Sequence, residues 1–327
     1  MGERQIEISG VDAANFVQYL TCRDMSSCAV NQCKYALLLN TEGGIVCDPI
    51  ILRLEKNKFW ISTSDCDLEL WIKGVHVNSG LNVNIHDANV SLLQIQGPKS
   101  SALLTKMFGE QISQLKYYWL KKLKFEDIDL IISRTGWSGE LGYEIYLSEF
   151  DKGTYVFNQI LEAGKEFSIS VGAVNQARRI ESGILSWGVD MSQNENPFQV
   201  GLGRLVETET RDNFIGKKAI IKLSKLKQKK VLVGMKLNTK NFLNNETSWN
   251  IKNDSIIIGK LTSVSFSPRL KYNIGLGIID TNYSKIGSKF IVEAYDELVE
   301  AEVVPLPFMD KKQMVNAEEL AKKFYSN

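Results

Sequence analysis

The chain has 327 residues, 44% hydrophobic and 24% charged, with a formal net charge of +1. That balance excludes disordered and strongly basic classes and leaves no global field to draw nucleic acid or a membrane surface. The length asks for more than one folding unit, no apolar run reaches the ~20 residues of a membrane helix, and "MGERQIEISG" lacks a signal peptide's apolar core.

In chain order, "RQIEISG" alternates as a strand, and "VDAANFVQYLT" puts Phe16, Val17 and Leu20 on one helical face. "YALLLNTEGGIVCDPIILRL" reads as a hairpin around Glu42-Gly43-Gly44. "KFWIST" predicts a strand, "CDLELWIKGVHV" a helix and "LNVNIHD" a short strand. "SLLQIQGPKSSALLTKMFG" runs from strand into helix, with Pro98 at the first turn and Gly109 closing it. After the strand in "DIDLIISRTG" come two helices, "GTYVFNQILEAG" and "GAVNQARRIESGILSWG". Strands and helices interleave without a regular βαβα period, which predicts an α+β fold.

The stretch Ile215 to Lys230 holds seven lysines and reads as a solvated helix with Ile220, Leu223 and Leu226 as its packed side. Beyond it, "VLVGMKL", "SIIIGKLTSVSFS", "NIGLGIID" and "KFIVEAYDELVEAEVV" are strands split by turn residues. They predict a separate β-barrel or sandwich of about 80 to 100 residues. The expected division is therefore 1–225 and 226–327.

Five cysteines (Cys22, Cys28, Cys33, Cys47, Cys66) lie in the first 66 residues. Their odd number and lack of C-x-x-C spacing favour thiols in a reducing, cytoplasmic setting over a disulfide framework or a zinc site. The two histidines, His76 and His86, have no acidic or cysteine partner at ligand spacing, so no metal site is expected. Any chemistry must lean on carboxylates, aromatics and a bound cofactor.

"RTGWSGELGYEIYL", Arg134 to Leu147, is the most unusual stretch. Its glycine spacing is wrong for a dinucleotide fingerprint, and its last residues alternate like a strand instead of opening a helix. On its own it reads as a hairpin turn whose glycines supply positive φ. Taken in order with "QCKYALLLNTEGGIVCDPIIL", "RRIESGILSWGVDMSQNENPF", "DNFIGKKAI" and the barrel-like tail, it resembles the tetrahydrofolate-dependent aminomethyltransferase superfamily, typified by the glycine-cleavage T-protein. The resemblance covers essentially the whole chain. It implies ferredoxin-like folate-binding units, bipartite over 1–225, followed by a C-terminal antiparallel β-barrel, and tetrahydrofolate as cofactor.

The resemblance also assigns roles. Glu144 would grip the pterin, since an ionised carboxylate can accept its amino group and ring N–H in a fork. Asp48 would stand beside the folate nitrogen that accepts the one-carbon unit, taking its proton or holding the amine in line. The bland readings are an outward-facing strand residue for Glu144 and a strand-terminating Asp before Pro49 for Asp48. Cys47 replaces the first Asp of the family's Asp-Asp pair and reads as a packed small residue.

Two departures point away from the T-protein itself. Asn175 stands where that family has an Arg, and Trp137 where its loop has Tyr. Both, with "DP" after the hairpin and "GVDM…NPF", are similar to the dimethylsulfoniopropionate demethylase branch. That branch implies a small onium methyl donor and aromatic contacts to it, from Trp137, Trp187 and Tyr35; core packing is the plain reading of these rings. Cofactor-site residues are then Glu144, Tyr35, Asn175 and Trp137. The alternatives are an aminomethyltransferase working with a lipoyl carrier protein and a non-catalytic folate-binding protein. Such proteins carry about 40 further residues before the "ERQ" position, so a shortened N-terminus is expected.

Overall fold

The structure is a computed structural model that describes residues 3–64, 66–209, 213–295 and 297–309. Strand β1 (Arg4–Ser9) leads into helix α1 (Ala13–Leu20), whose Phe16, Val17 and Leu20 are all fully buried. Strands β2 (Cys33–Tyr35), β3 (Leu38–Leu39), β4 (Ile45–Cys47), β5 (Ile50–Glu55) and β6 (Lys58–Thr63) come next, then helix α2 (Leu68–His76) and strand β7 (Asn84–Asp87). The first sheet has the order β2-β5-β6-β1-β7, and both helices press their apolar sides onto it.

The predicted hairpin is present as β3 against β4, Leu38 opposite Cys47. Gly43 turns at φ +86°, and Asn40 Oδ1 accepts the N–H groups of Glu42 and Gly44. A Cβ at Gly44 would overlap the carbonyl oxygen of Gln193. Gly44→Ala should therefore cost about 1–3 kcal/mol, and a urea midpoint equal to wild type would remove that constraint. Pro49 has no N–H to give a ladder, so β4 and β5 are separated there and Asp48 lies in the irregular link between them.

The second unit comprises β8 (Ser91–Gln96), α3 (Ser100–Phe108), β9 (Leu120–Phe125), β10 (Ile128–Ser133), β11 (Gly142–Leu147), α4 (Gly153–Gly164) and α5 (Gln176–Glu181). Its sheet runs β8-β11-β10-β9, all neighbours antiparallel, with α3 and α4 closing the core. Pro98 stands in the turn before α3, while Gly109 ends that helix at φ +85° as expected. The long helix predicted over 172–188 is only α5: Gly183 at φ +65° turns the chain two residues after Glu181.

Helix α6 (Lys217–Leu223) stops before the lysine run ends. Ile220 is buried and Leu223 half-buried, but Leu226 is 61% exposed, because the chain is already turning toward the barrel. Strands β12 (Lys230–Leu237), β13 (Trp249–Asn253), β14 (Ile256–Ser267), β15 (Tyr272–Asp280), β16 (Lys289–Ala294) and β17 (Glu297–Val304) form a closed barrel, β12-β15-β14-β13-β16-β17. The α+β class and the C-terminal antiparallel barrel are thus both present. Strand β13 carried no mark in the sequence.

Barrel and α5 meet at a buried ion pair. Arg179, 2% exposed, donates through Nη1 to Asp190 Oδ2 at 2.6 Å, through Nη2 to Ser263 Oγ at 2.7 Å and through Nε to Gln176 Oε1 at 2.6 Å. Asp190 Oδ1 accepts the hydroxyls of Thr262 and Ser263 at 2.6 and 2.5 Å, and its Oδ2 accepts the Ser186 N–H at 3.0 Å. Both charges leave water because each is held by several hydrogen bonds as well as by the other, Arg179 Nη1 also reaching Ile184 O at 3.1 Å.

Candidate active site

A cavity of about 550 Å³ opens where the two sheets and the segment leading to the barrel come together, a size typical of small-molecule sites. The sheets are tied edge to edge beside it: Cys33 N–H donates to Tyr118 O at 2.7 Å, and Leu120 N–H to Asn31 O at 2.9 Å. Asp48, Tyr35, Trp137 and Glu144 all line this one cavity. They come from positions 35 to 144, and four different local structures deliver them.

Asp48 is placed by the Pro49 break in the first sheet, and Tyr35 by β2. The Tyr35 hydroxyl donates to Asp48 Oδ2 at 2.8 Å. Burial, and then the Asp48 charge, push the Tyr35 phenol well above its ordinary value, so it remains a donor. A fixed donor on one oxygen orients the carboxylate.

Glu144 sits in mid-strand on β11 and is 2% exposed. Gln94 on the neighbouring strand donates to its Oε1 at 2.9 Å, and Tyr146, two residues on and on the same face, donates to its Oε2 at 3.0 Å. Thr135 makes a further short contact to Oε2. Burial pushes the Glu144 carboxyl above its ordinary 4.5, against the lowering effect of the Thr135 and Tyr146 hydroxyls. A carboxylate has about four acceptor positions; Gln94, Thr135 and Tyr146 take three of them, and the Ser133 hydroxyl also bonds to the group.

Trp137 stands in the glycine loop. The Arg179 guanidinium carbon lies over its ring, 5.3 Å from the centroid. The loop is also pinned at Glu140, which pairs with Arg178 at 3.5 Å and more closely with Arg269 of the barrel. Ser138 Oγ donates to Gln96 Oε1 at 2.7 Å, so β8 holds the other side.

Two expected site residues are not brought here. Asn175 is exposed and caps α5, its Oδ1 accepting the Arg178 N–H at 3.2 Å. Trp187 packs against the hairpin and donates its indole N–H to Ile45 O at 2.9 Å. Neither lines the cavity: α5 begins only after Asn175, which spends its side chain on the cap, and the turn at Gly183 ends the helix before Trp187. Four residues that support the site were not singled out from the sequence: Gln94, Thr135 and Tyr146, which surround Glu144, and Arg23, whose guanidinium donates to Tyr35 O. Of these, Tyr146 had a signal, the i, i+2 alternation in "YEIY".

The chain is similar to known proteins. Residues 2–210 match the GCVT N-terminal domain family, and residues 230–310 match the glycine cleavage T-protein C-terminal barrel domain family. The chain is 30% identical over 298 residues to the dimethylsulfoniopropionate demethylase DmdA of Ruegeria pomeroyi, spanning 90% of this chain and 80% of that one. It is 32% identical over 317 residues to an aminomethyltransferase of Caldanaerobacter subterraneus, spanning 95% and 83%. The crystal structure of glycine cleavage system aminomethyltransferase T from Bartonella henselae superposes with a TM-score of 0.84 at 23% identity, over 94% of this chain and 84% of that one.

Proposed function

The chain belongs to the glycine-cleavage T-protein family, and from that premise we propose that it is a tetrahydrofolate-dependent one-carbon transferase that removes a methyl group from a small onium donor. The reading is carried by one observation: the buried carboxylate Glu144 and the tyrosine-oriented carboxylate Asp48 face the same cavity, with Trp137 beside them. Tetrahydrofolate would supply the amine that accepts the methyl group. Glu144 would hold the pterin edge, the ligand N–H groups taking the place of side-chain donors that now reach the carboxylate. Asp48, held by Tyr35, would take the proton that the accepting amine releases. Trp137 would offer a ring to the positive charge of the donor, a contact worth about 0.5–2 kcal/mol. The leaving sulfide or amine departs with the electron pair of the broken bond.

Glu144→Gln tests the pterin contact. It should weaken tetrahydrofolate binding by about 1.5–3 kcal/mol, the worth of a charge-assisted bond, and alter the transfer step less. Because burial raises the Glu144 pKa, wild-type affinity should also decline as pH falls, sooner than for an ordinary carboxylate. Calorimetric titration across pH reads both, and an unchanged dissociation constant in the variant rejects the assignment.

The second reading, aminomethyl transfer from a lipoyl carrier protein, is favoured by the 32% identity to an aminomethyltransferase over 95% of the chain. Mass analysis of the folate product separates the two: 5-methyl for an onium donor, methylene for an aminomethyl donor.

A further inference from the structure

Directly behind Asp48 lies a cluster that the transfer chemistry does not use. Cys47, at the end of β4, and Cys66, beyond the end of β6, bring their sulfur atoms to 2.8 Å. Thr63 Oγ1 touches both, at 3.2 Å from Cys47 Sγ and 3.5 Å from Cys66 Sγ. Thr63 and Ser64 line the cavity, while neither cysteine does. The two sulfurs are within about an ångström of the ~2.04 Å of an S–S bond, on separate elements whose side chains converge. The other thiols are placed differently: Cys22 and Cys28 point at backbone carbonyl oxygens.

We propose that Cys47 and Cys66 form an oxidation site, closed to a disulfide by a hydroperoxide, and that closing it slows one-carbon transfer by displacing Asp48. Cys66 is half-buried and Cys47 is 2% exposed, so the oxidant meets Cys66 first. The Cys66 thiolate attacks one peroxide oxygen, the O–O bond breaks, and a sulfenic acid and hydroxide (water, after protonation) result. The Cys47 sulfur then gives up its proton and attacks the sulfenic sulfur. The S–S bond forms as the S–O bond breaks, releasing a second water. Peroxide is reduced by two electrons and the thiol pair is oxidised by two. Hydrogen bonding to Cys66, together with burial, holds the Cys47 thiol well above its ordinary pKa, so the second step is the slow one and the reduced pair persists without oxidant.

The disulfide would join the end of β4 to the segment after β6, and Asp48 is the next residue after Cys47. A small displacement of a group that must meet a reacting nitrogen is costly. The rate arm of the test rests on the function proposed above; the crosslink arm does not. Intact protein is treated with hydrogen peroxide, the peroxide is removed, and the remaining thiols are alkylated and weighed. The expected result is the loss of two hydrogens, three alkylated thiols, and a linked peptide pair containing Cys47 and Cys66. Cys66→Ser should give no link and keep the untreated rate. Transfer by the oxidised wild type should fall about tenfold or more and return with dithiothreitol. Five alkylated thiols after peroxide, or a link between another pair, overturns the site. A link with an unchanged rate overturns its control of Asp48. If the reduced protein transfers nothing, the functional reading has failed and the linked mass alone decides the site.

Discussion

Asp48→Asn is expected to lower the single-turnover rate of transfer by ~10²–10⁴-fold while leaving tetrahydrofolate affinity nearly unchanged. The asparagine keeps the volume and can still accept the Tyr35 hydroxyl that now reaches Asp48 Oδ2 at 2.8 Å. What it loses is the capacity to take a proton. In the proposed function recognition of the pterin falls to Glu144, on the other sheet, so binding and chemistry should separate cleanly between the two variants. A rapid-quench rate within about threefold of wild type would leave Asp48 as a residue that merely shapes the link before Pro49.

The second large effect concerns stability. Asp190→Ala should destabilise the protein by ~3–5 kcal/mol, because Arg179 would remain buried with its charge uncompensated. The Ser263 hydroxyl, which now reaches Asp190 Oδ1, would lose that acceptor as well, while Thr262 would keep only Leu276 O. Removing both charges, as Arg179→Met with Asp190→Ala, should cost less than the sum of the single changes, since no unpaired ion is left. Urea unfolding of the four proteins measures this coupling. A single Asp190→Ala variant within about 1 kcal/mol of wild type would mean that water reaches the guanidinium. Trp137 gives a local readout, because its ring lies under that guanidinium and its environment should change in the single variant.

The range of each interaction decided whether the sequence displayed it or hid it. Helix α1 and helix α4 were legible because a helix spaces its buried residues three and four apart, and that pattern is local. Strand β9 was not: in "LKKLKF" the exposed lysines at 121, 122 and 124 mask the buried side. The end of α5 depended on Gly183 adopting a positive φ, which the apolar residues after it, Ile184 and Leu185, gave no reason to expect. Trp187, beyond that turn, and Asn175, at the start of α5, were both assigned through the resemblance, and neither lines the cavity. Asp48, Tyr35 and Glu144 were singled out through family resemblance, whereas the partners of Glu144 were not. Gln94 is 50 residues from Glu144, and Ser263 is 84 from Arg179. Pairings of that span leave no periodic trace in a single chain.

The hydroxyls that hold Asp190 have a consequence for how the molecule comes into being. A chain is made from its N-terminus, and its units fold in that order as they emerge. The two sheets that carry Asp48 and Glu144 can form early, but Thr262 and Ser263 arrive 72 and 73 residues after Asp190. Arg269, which grips Glu140 of the glycine loop, comes later still, and the barrel closes only when β17 pairs back onto β12. Until then the Arg179–Asp190 pair lacks half its partners and Trp137 has no settled floor beneath it. On this order both carboxylates are in place while the glycine loop between them still lacks its tie to Arg269.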